Sequence, residues 1–180
     1  SDTDMHASDN GKDLVNVISR YGVSALVTRG INKKLLKEFT AISSMPIINS
    51  HNDDCVPIQA LSDLYTIWEK KGELAGVKLA VVGRATSMTS SFVIGAVKCG
   101  MDVSLACPAR YGLKRENMEA AEQLGKIYTT DNPIEAVRDA DVVYTNAYRY
   151  HTVISDEEKE IFAPYRVDAG LMSYAKHKSV

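Results

Sequence analysis

Arg29, Gln59, the run of residues 84–90 and the pair Asn146 and Arg149 are the residues of this sequence whose types and places suit them to bind polar ligands. Arg29 closes the apolar run VSALVTRG, where a strand's carboxyl end would present its guanidinium to an anion; a surface arginine at a sheet edge is the plainer alternative. Gln59 sits in VPIQ at a helix start. RATSMTS offers hydroxyls and backbone N–H groups where a helix opens, a ready anion site, although an ordinary strand-to-helix turn would look the same. Asn146 falls near the end of the strong strand DVVYTNAY and Arg149 just after it, where ligand loops of α/β proteins sit. Other candidates read as structural. His51, Asp53 and Asp54 lack diagnostic metal spacing and form a solvated loop. His151 is a lone histidine after a strand, and Tyr148 and Tyr150 are packing residues. Cys55, Cys99 and Cys107 are odd in number without a C-x-x-C pair, so they read as free thiols in a reducing cytosol, Cys107 as a small buried hydrophobe.

The elements that must position these residues centre on residues 55–108. Pro57 begins a helix in which Ile58, Leu61, Leu64, Tyr65 and Trp68 recur at near-helical spacing, and Gly72 supplies its stop. VKLAVVG is a Val-rich apolar run, as a central parallel strand should be. The loop RATSMTS, the helix FVIGAVKCG and the strand MDVSLACP complete a β-α-β unit, so a ligand is expected just after Val82. Upstream, a helix over residues 13–21 (Leu14, Val15, Val17 and Ile18 inward), a strand within 23–30, a helix over 31–42 (Leu35, Leu36 and Phe39 inward) and a strand over 45–50 repeat the alternation. Downstream come an amphipathic helix with Met118, Ala121 and Leu124 inward, the weak strand KIYTT, a short helix from Pro133 and the strand over 141–148. A helix capped by Ser155 with Glu158 three residues on, and a last strand with a short helix over 166–180, follow. The fold class is therefore α/β, with doubly wound parallel sheets in two lobes. Residues 11–50 are too few for a complete domain, so they either join the second sheet or form part of a larger lobe.

Composition excludes several classes. A formal charge of -2 with 45% hydrophobic residues fits an ordinary soluble α/β chain. Basic residues do not cluster, so no nucleic-acid partner is expected. No apolar run approaches the ~20 residues of a membrane helix, and SDTDMHASDNGKD has neither part of a secretory signal. A dinucleotide loop needs three glycines in G-x-G-x-x-G, and VVGRATSMTS has one.

SRYGVSALVTRG, KKLLKEFTAISSMPIINSHNDDCVPIQALSDLYTIWEKKGELAGVKLAVVG, KCGMDVSLACPARYGL, NPIEAVRDADVVYTNAY and VDAGLMSYAKHKSV together resemble the aspartate/ornithine carbamoyltransferase family, and the ornithine branch more than the aspartate branch. The resemblance implies two Rossmann-like lobes joined by a long interdomain helix. Residues 1–55 would be the C-terminal part of the carbamoyl-phosphate domain, 56–75 the connecting helix and 76–180 the amino-acid domain. By that comparison the first lobe is incomplete: the family's Ser-Thr-Arg-Thr phosphate loop would precede residue 1, and its His-Cys-Leu-Pro segment would follow residue 180. A cytoplasmic homotrimer of arginine metabolism is implied, with carbamoyl phosphate and an amino-acid acceptor as partners and no metal or other cofactor.

Carried over residue by residue, Arg29 matches the arginine that helps hold carbamoyl phosphate. The His-Pro-x-Gln motif falls on Val56, Pro57, Ile58 and Gln59, so the histidine is lost. The Gly-Asp-Gly-Asn-Asn loop falls on Gly83, Arg84, Ala85, Thr86 and Ser87, with Ser87 where an asparagine would touch the amino acid. The Asp-x-x-x-Ser-Met motif falls on residues 146–151; Asn146 cannot pair with a cationic amine as an aspartate would, and Arg149 adds positive charge. The expectation is a carbamoyltransferase-like protein with Arg29 and Gln59 catalytic, Arg29, Gln59, Ser87, Asn146 and Arg149 contacting substrates, and an acceptor other than ornithine. A catalytically inactive structural or regulatory paralogue is the alternative.

Overall fold

A computed structural model describes residues 10–146 and 155–180. It divides into two compact units, the first ending at Gln59 and the second beginning at Ala60. In the first, helix α1 (Asn10–Arg20), strand β1 (Leu26–Arg29), helix α2 (Lys33–Ile42) and strand β2 (Ile47–His51) alternate. β1 and β2 pair in parallel as a sheet of their own, which settles that they do not join the second sheet. Val15, Ile31, Leu35 and Phe39 form the buried centre of this unit. Asn32 caps α2 by accepting the Leu35 N–H at 2.8 Å.

Helix α3 (Pro57–Lys71) leads into the second unit. Pro57 occupies its first turn, and Gly72 ends it at φ +82° with its N–H on the Trp68 carbonyl, a backbone conformation that favours glycine. Then come β3 (Lys78–Val82), α4 (Ser87–Lys98), β4 (Asp102–Ala106), α5 (Arg115–Glu122), β5 (Ile127–Thr130), α6 (Pro133–Val137), β6 (Val142–Thr145), α7 (Asp156–Phe162) and α8 (Ala169–Met172). The four strands form a parallel sheet in the order β5-β4-β3-β6. Alternate residues of a strand face opposite sides. Leu79 and Val81 accordingly pack with Leu64, Phe92, Val93 and Val97, whereas Ala80 and Val82 pack with Val137, Phe162 and Leu171. Helices on both faces make this a doubly wound sheet, as the sequence led one to expect.

Three local readings need correction. Of the α3 residues expected inward only Leu64 is buried; Ile58, Leu61, Tyr65 and Trp68 are exposed, and the buried arc is Ala60, Leu64 and Ile67. Both sets repeat at helical spacing, and the packing partners decide between them. Leu124 is exposed because α5 ends before it, while Ala121 is buried and Met118 packs against the core; Leu14 and Val17 of α1 are likewise exposed, leaving Val15 inside. Residues 166–180 contain no strand: Asp168 turns the chain into α8 by accepting the Leu171 N–H at 3.1 Å.

Asp141 ties this last segment to the sheet. Its Oδ1 pairs with Lys176 Nζ at 2.8 Å and its Oδ2 accepts the Lys78 N–H at 3.0 Å. Burial by itself would raise this carboxyl, but the hydrogen bonds from Lys176 and Lys78 outweigh it and hold it below its ordinary 3.8. A depressed folded value means the contribution is complete above the unfolded value and is lost as the pH falls through the folded one. The thermal midpoints of wild type and Asp141→Asn should therefore differ above pH 3.8 and converge as the pH drops below it.

Candidate functional site

The predicted residues divide between the two units, and each set has its own setting. In the first unit Arg29 ends β1 opposite His51, where the ladder shifts register, and Gly30 (φ +78°) donates its N–H to the His51 carbonyl at 2.8 Å. Arg29 is exposed at that carboxyl end. The chain then passes from β2 to α3 through a turn built by Asn52, which is buried and whose Oδ1 accepts the N–H groups of Asp54 and Cys55 at 2.9 and 2.7 Å. This turn delivers Val56, Pro57, Ile58 and Gln59; Gln59 is exposed in the first turn of α3. Arg29 and Gln59 thus share the carboxyl-end side of the β1–β2 pair. The two carboxylates of the loop face α2: Asp54 pairs with Lys33 Nζ at 2.7 Å and Asp53 accepts the Lys33 N–H at 3.1 Å. Among the described residues no group of three or more His, Cys, Asp and Glu is placed to hold a metal.

In the second unit the strand order identifies the ligand end. From β3 the chain moves to β4 and β5 on one side and to β6 on the other, so the carboxyl ends of β3 and β6 flank the topological switch point. Gly83, at φ +114°, turns the chain out of β3, a conformation open to glycine. Thr86 and Thr89 form a reciprocal capping box at the start of α4, with Thr89 Oγ1 accepting the Thr86 N–H at 3.0 Å. Asn146, just after β6, reaches across the switch point and donates its side-chain amide to Thr89 Oγ1 at 2.6 Å and Thr86 Oγ1 at 3.4 Å. Ser87 is half-buried in the first turn of α4 beside them. Ser87 and Asn146 are therefore brought to one place. The capping box already uses the Thr89 N–H, which narrows what residues 84–90 can offer an anion. Arg149, with Tyr148, Tyr150 and His151, lies outside the described residues.

Arg84, which stands where the family's loop has an aspartate, is engaged within its own unit. Its Nη2 donates to Glu158 Oε1 at 2.5 Å, and its guanidinium lies 4.4 Å from the Tyr111 ring centroid and 5.0 Å from that of Phe162. The hydrogen bond from Arg84, above all, holds the Glu158 carboxyl below the usual carboxylate range, with further help from the Ser155 backbone and the Tyr111 side chain. Deeper in, Tyr144 stacks on Phe92 at 4.2 Å and donates its hydroxyl to Asp63 Oδ2 at 3.3 Å; burial first, and the Asp63 carboxylate second, push this phenol well above its ordinary value. Cys107 is half-buried, not fully enclosed: it lines a cavity of about 330 Å³ with Leu113, Met118 and Thr130 at the carboxyl ends of β4 and β5, and burial raises its thiol. Cys55, Cys99 and Cys107 are all free thiols.

Sequence reasoning took Thr89 only as one hydroxyl of the 84–90 run and Glu158 only as a capping residue, and it passed over Tyr111 and Phe162. Thr89 carried a signal, since Thr86-x-x-Thr89 before an apolar run is a capping-box spacing with threonine in place of the usual acid. The other three meet Arg84 from distant parts of the chain, and no local pattern announces that.

Residues 75–180 match the family model described as the aspartate/ornithine carbamoyltransferase Asp/Orn binding domain, and residues 1–69 match that of the carbamoyl-P binding domain. The ornithine carbamoyltransferase of Bacillus subtilis is 38% identical over 182 residues, which covers 97% of this chain and 57% of that protein. That of Caldicellulosiruptor saccharolyticus is 35% identical, covering 100% of this chain and 60% of its own length. Among solved structures, ornithine carbamoyltransferase from Pyrococcus furiosus superposes with a TM-score of 0.86 at 34% identity, over 96% of this chain and 57% of that one. Anabolic ornithine carbamoyltransferase from Campylobacter jejuni gives 0.85 at 29% identity, over 98% and 61%. The chain thus spans about three fifths of the length of the relatives it matches.

Proposed function

Because the chain belongs to the aspartate/ornithine carbamoyltransferase family, we propose that this protein transfers the carbamoyl group of carbamoyl phosphate to an amine of an amino acid, on the ornithine-type branch but with an altered acceptor. The observation that carries the proposal is the match to both substrate-binding domain models along one chain, residues 1–69 for the donor and 75–180 for the acceptor. Residues 1–55 then serve as the C-terminal part of the carbamoyl-phosphate domain, 56–75 as the connecting helix and 76–180 as the amino-acid domain. Arg29 holds the donor's phosphate or carbonyl oxygen and Gln59 orients the carbamoyl amide. Ser87, Asn146 and Arg149 face the acceptor. The acceptor's neutral amine attacks the carbamoyl carbon, the bond to phosphate breaks, and the leaving phosphate takes the amine proton. Chemistry of this kind asks positioning and electrostatic stabilisation of the protein, with little acid–base work from side chains. A neutral Asn146 amide, engaged by Thr86 and Thr89, gives no counter-charge to an ornithine ammonium, which supports a different acceptor. The same reading places the protein in the cytoplasm, in arginine metabolism, as a homotrimer.

One observation favours a second reading. Val56 stands where the family's motif places a histidine donor, and a catalytically inactive structural or regulatory paralogue would tolerate that loss.

Calorimetric titration of carbamoyl phosphate into the complete polypeptide separates the two. Binding by wild type, weakened about tenfold to a hundredfold in Arg29→Ala, is the expected result, since a hydrogen bond to a charged group contributes roughly 1.5–3 kcal/mol. No heat from a folded wild-type sample would overturn the enzymatic reading in favour of the paralogue.

A further inference from the structure

Three segments leave the carboxyl ends of β3, β4 and β6, and one side chain touches all three. Arg84 belongs to the loop after β3. Tyr111 lies in the 3-10 turn after β4, Ala109–Tyr111, and Glu158 and Phe162 lie on α7, which follows β6. The Arg84 guanidinium is bonded to Glu158 and lies against the Tyr111 and Phe162 rings, which meet edge to face with centroids 4.8 Å apart. The backbone adds a fourth link: the Ala85 N–H donates to the Tyr111 carbonyl at 2.9 Å. A planar, permanently charged guanidinium suits this place, because it can donate in its plane and stack on rings at the same time, which a lysine ammonium does less well. Next to this cluster the same loop presents Thr86 and Ser87 to the switch point, and Asn146 ties the opposite side to Thr86 and Thr89.

We infer that Arg84 is a positioning residue: by pinning α7 and the turn after β4 to the loop after β3, it fixes the hydroxyl-bearing turn of Thr86 and Ser87 in the geometry that receives the acceptor amino acid. The inference rests on the carbamoyl-transfer reading and deepens it. Arg84 then acts on acceptor recognition through the loop, its own charge being spent on Glu158. It has no reason to act on carbamoyl phosphate, whose proposed ligands Arg29 and Gln59 belong to the other unit.

The test uses the complete polypeptide as wild type, Arg84→Ala, Arg84→Lys and Glu158→Gln, each first shown to be folded by circular dichroism. Wild type is assayed for carbamoyl transfer from carbamoyl phosphate to L-ornithine and to each of the twenty standard amino acids, and the best acceptor is carried forward. Arg84→Ala should raise the KM for that acceptor about tenfold or more while leaving the KM for carbamoyl phosphate within about twofold. Arg84→Lys, which keeps a cation for Glu158 and the two rings, should recover part of the loss, and Glu158→Gln should fall between wild type and Arg84→Ala. Amide hydrogen exchange over residues 85–91 should quicken in Arg84→Ala with the β3 amides unchanged. An Arg84→Ala protein whose two KM values move together, or do not move, overturns the inference while the functional reading stands. If Arg84→Ala does not fold, the same criterion applies to Arg84→Lys and Glu158→Gln. A wild type that carbamoylates none of the amino acids overturns the functional reading, and this inference with it.

Discussion

Replacing Val56 by histidine is expected to raise the rate of carbamoyl transfer by about a hundredfold to a thousandfold, the effect of supplying one preorganised donor to an oxyanion. Val56 immediately precedes Pro57 and the first turn of α3, and a residue before proline is held in extended backbone. Histidine adopts this backbone as readily as valine. Charge develops on the carbamoyl oxygen as the amine attacks, so a donor there acts on the transition state more than on the bound substrate, and the gain should appear in kcat. Steady-state kinetics on wild type, Val56→His and Val56→Ala would decide the matter. A gain confined to the histidine variant supports a carbamoyl-transfer centre that lacks one donor. Equal measurable rates in all three would count against that geometry, and no transfer by any of them would move the balance to the inactive paralogue.

Phe92→Ala should cost about 3–5 kcal/mol, a large share of the roughly 5–15 kcal/mol that holds a typical domain folded. Phe92 is fully buried at the centre of the α3–α4 face of the sheet and stacks on Tyr144 at 4.2 Å. Truncation removes the ring from water-excluded packing and leaves a cavity that the rigid sheet beneath cannot fill. Tyr144 would also lose the surface that holds its hydroxyl on Asp63. Urea unfolding followed by far-ultraviolet circular dichroism measures the loss, with Phe92→Leu as the conservative control at roughly 1.5 kcal/mol or less. A Phe92→Ala loss as small as that of the control would mean the ring is not the keystone of this face.

The stretches most legible in the sequence were those whose information is local. The Val-rich run of β3, the Pro57 start and Gly72 stop of α3, and the Ser155 cap of α7 each depend on residues within a turn or two of one another, and each stands where its pattern put it. The parallel β-α alternation followed from those elements, and with it the carboxyl end of β3 at Val82.

What the sequence by itself determined about this protein is its family, its doubly wound α/β class and the strand ends at which Arg29, Ser87 and Asn146 stand. Tertiary structure alone decided which side chains those residues meet. In α3 the sets Leu61, Tyr65, Trp68 and Ala60, Leu64, Ile67 have the same spacing, and only the sheet's position selected the second as the buried face. Arg84 was a bare charge in the sequence until a carboxylate 74 residues away and two aromatic rings closed around it. Asn146 likewise became a bridge to Thr89 across 57 residues. Periodicity and caps record energies between neighbours in the chain, whereas the partner of a charge or an amide is set by long-range packing, which no local spacing encodes.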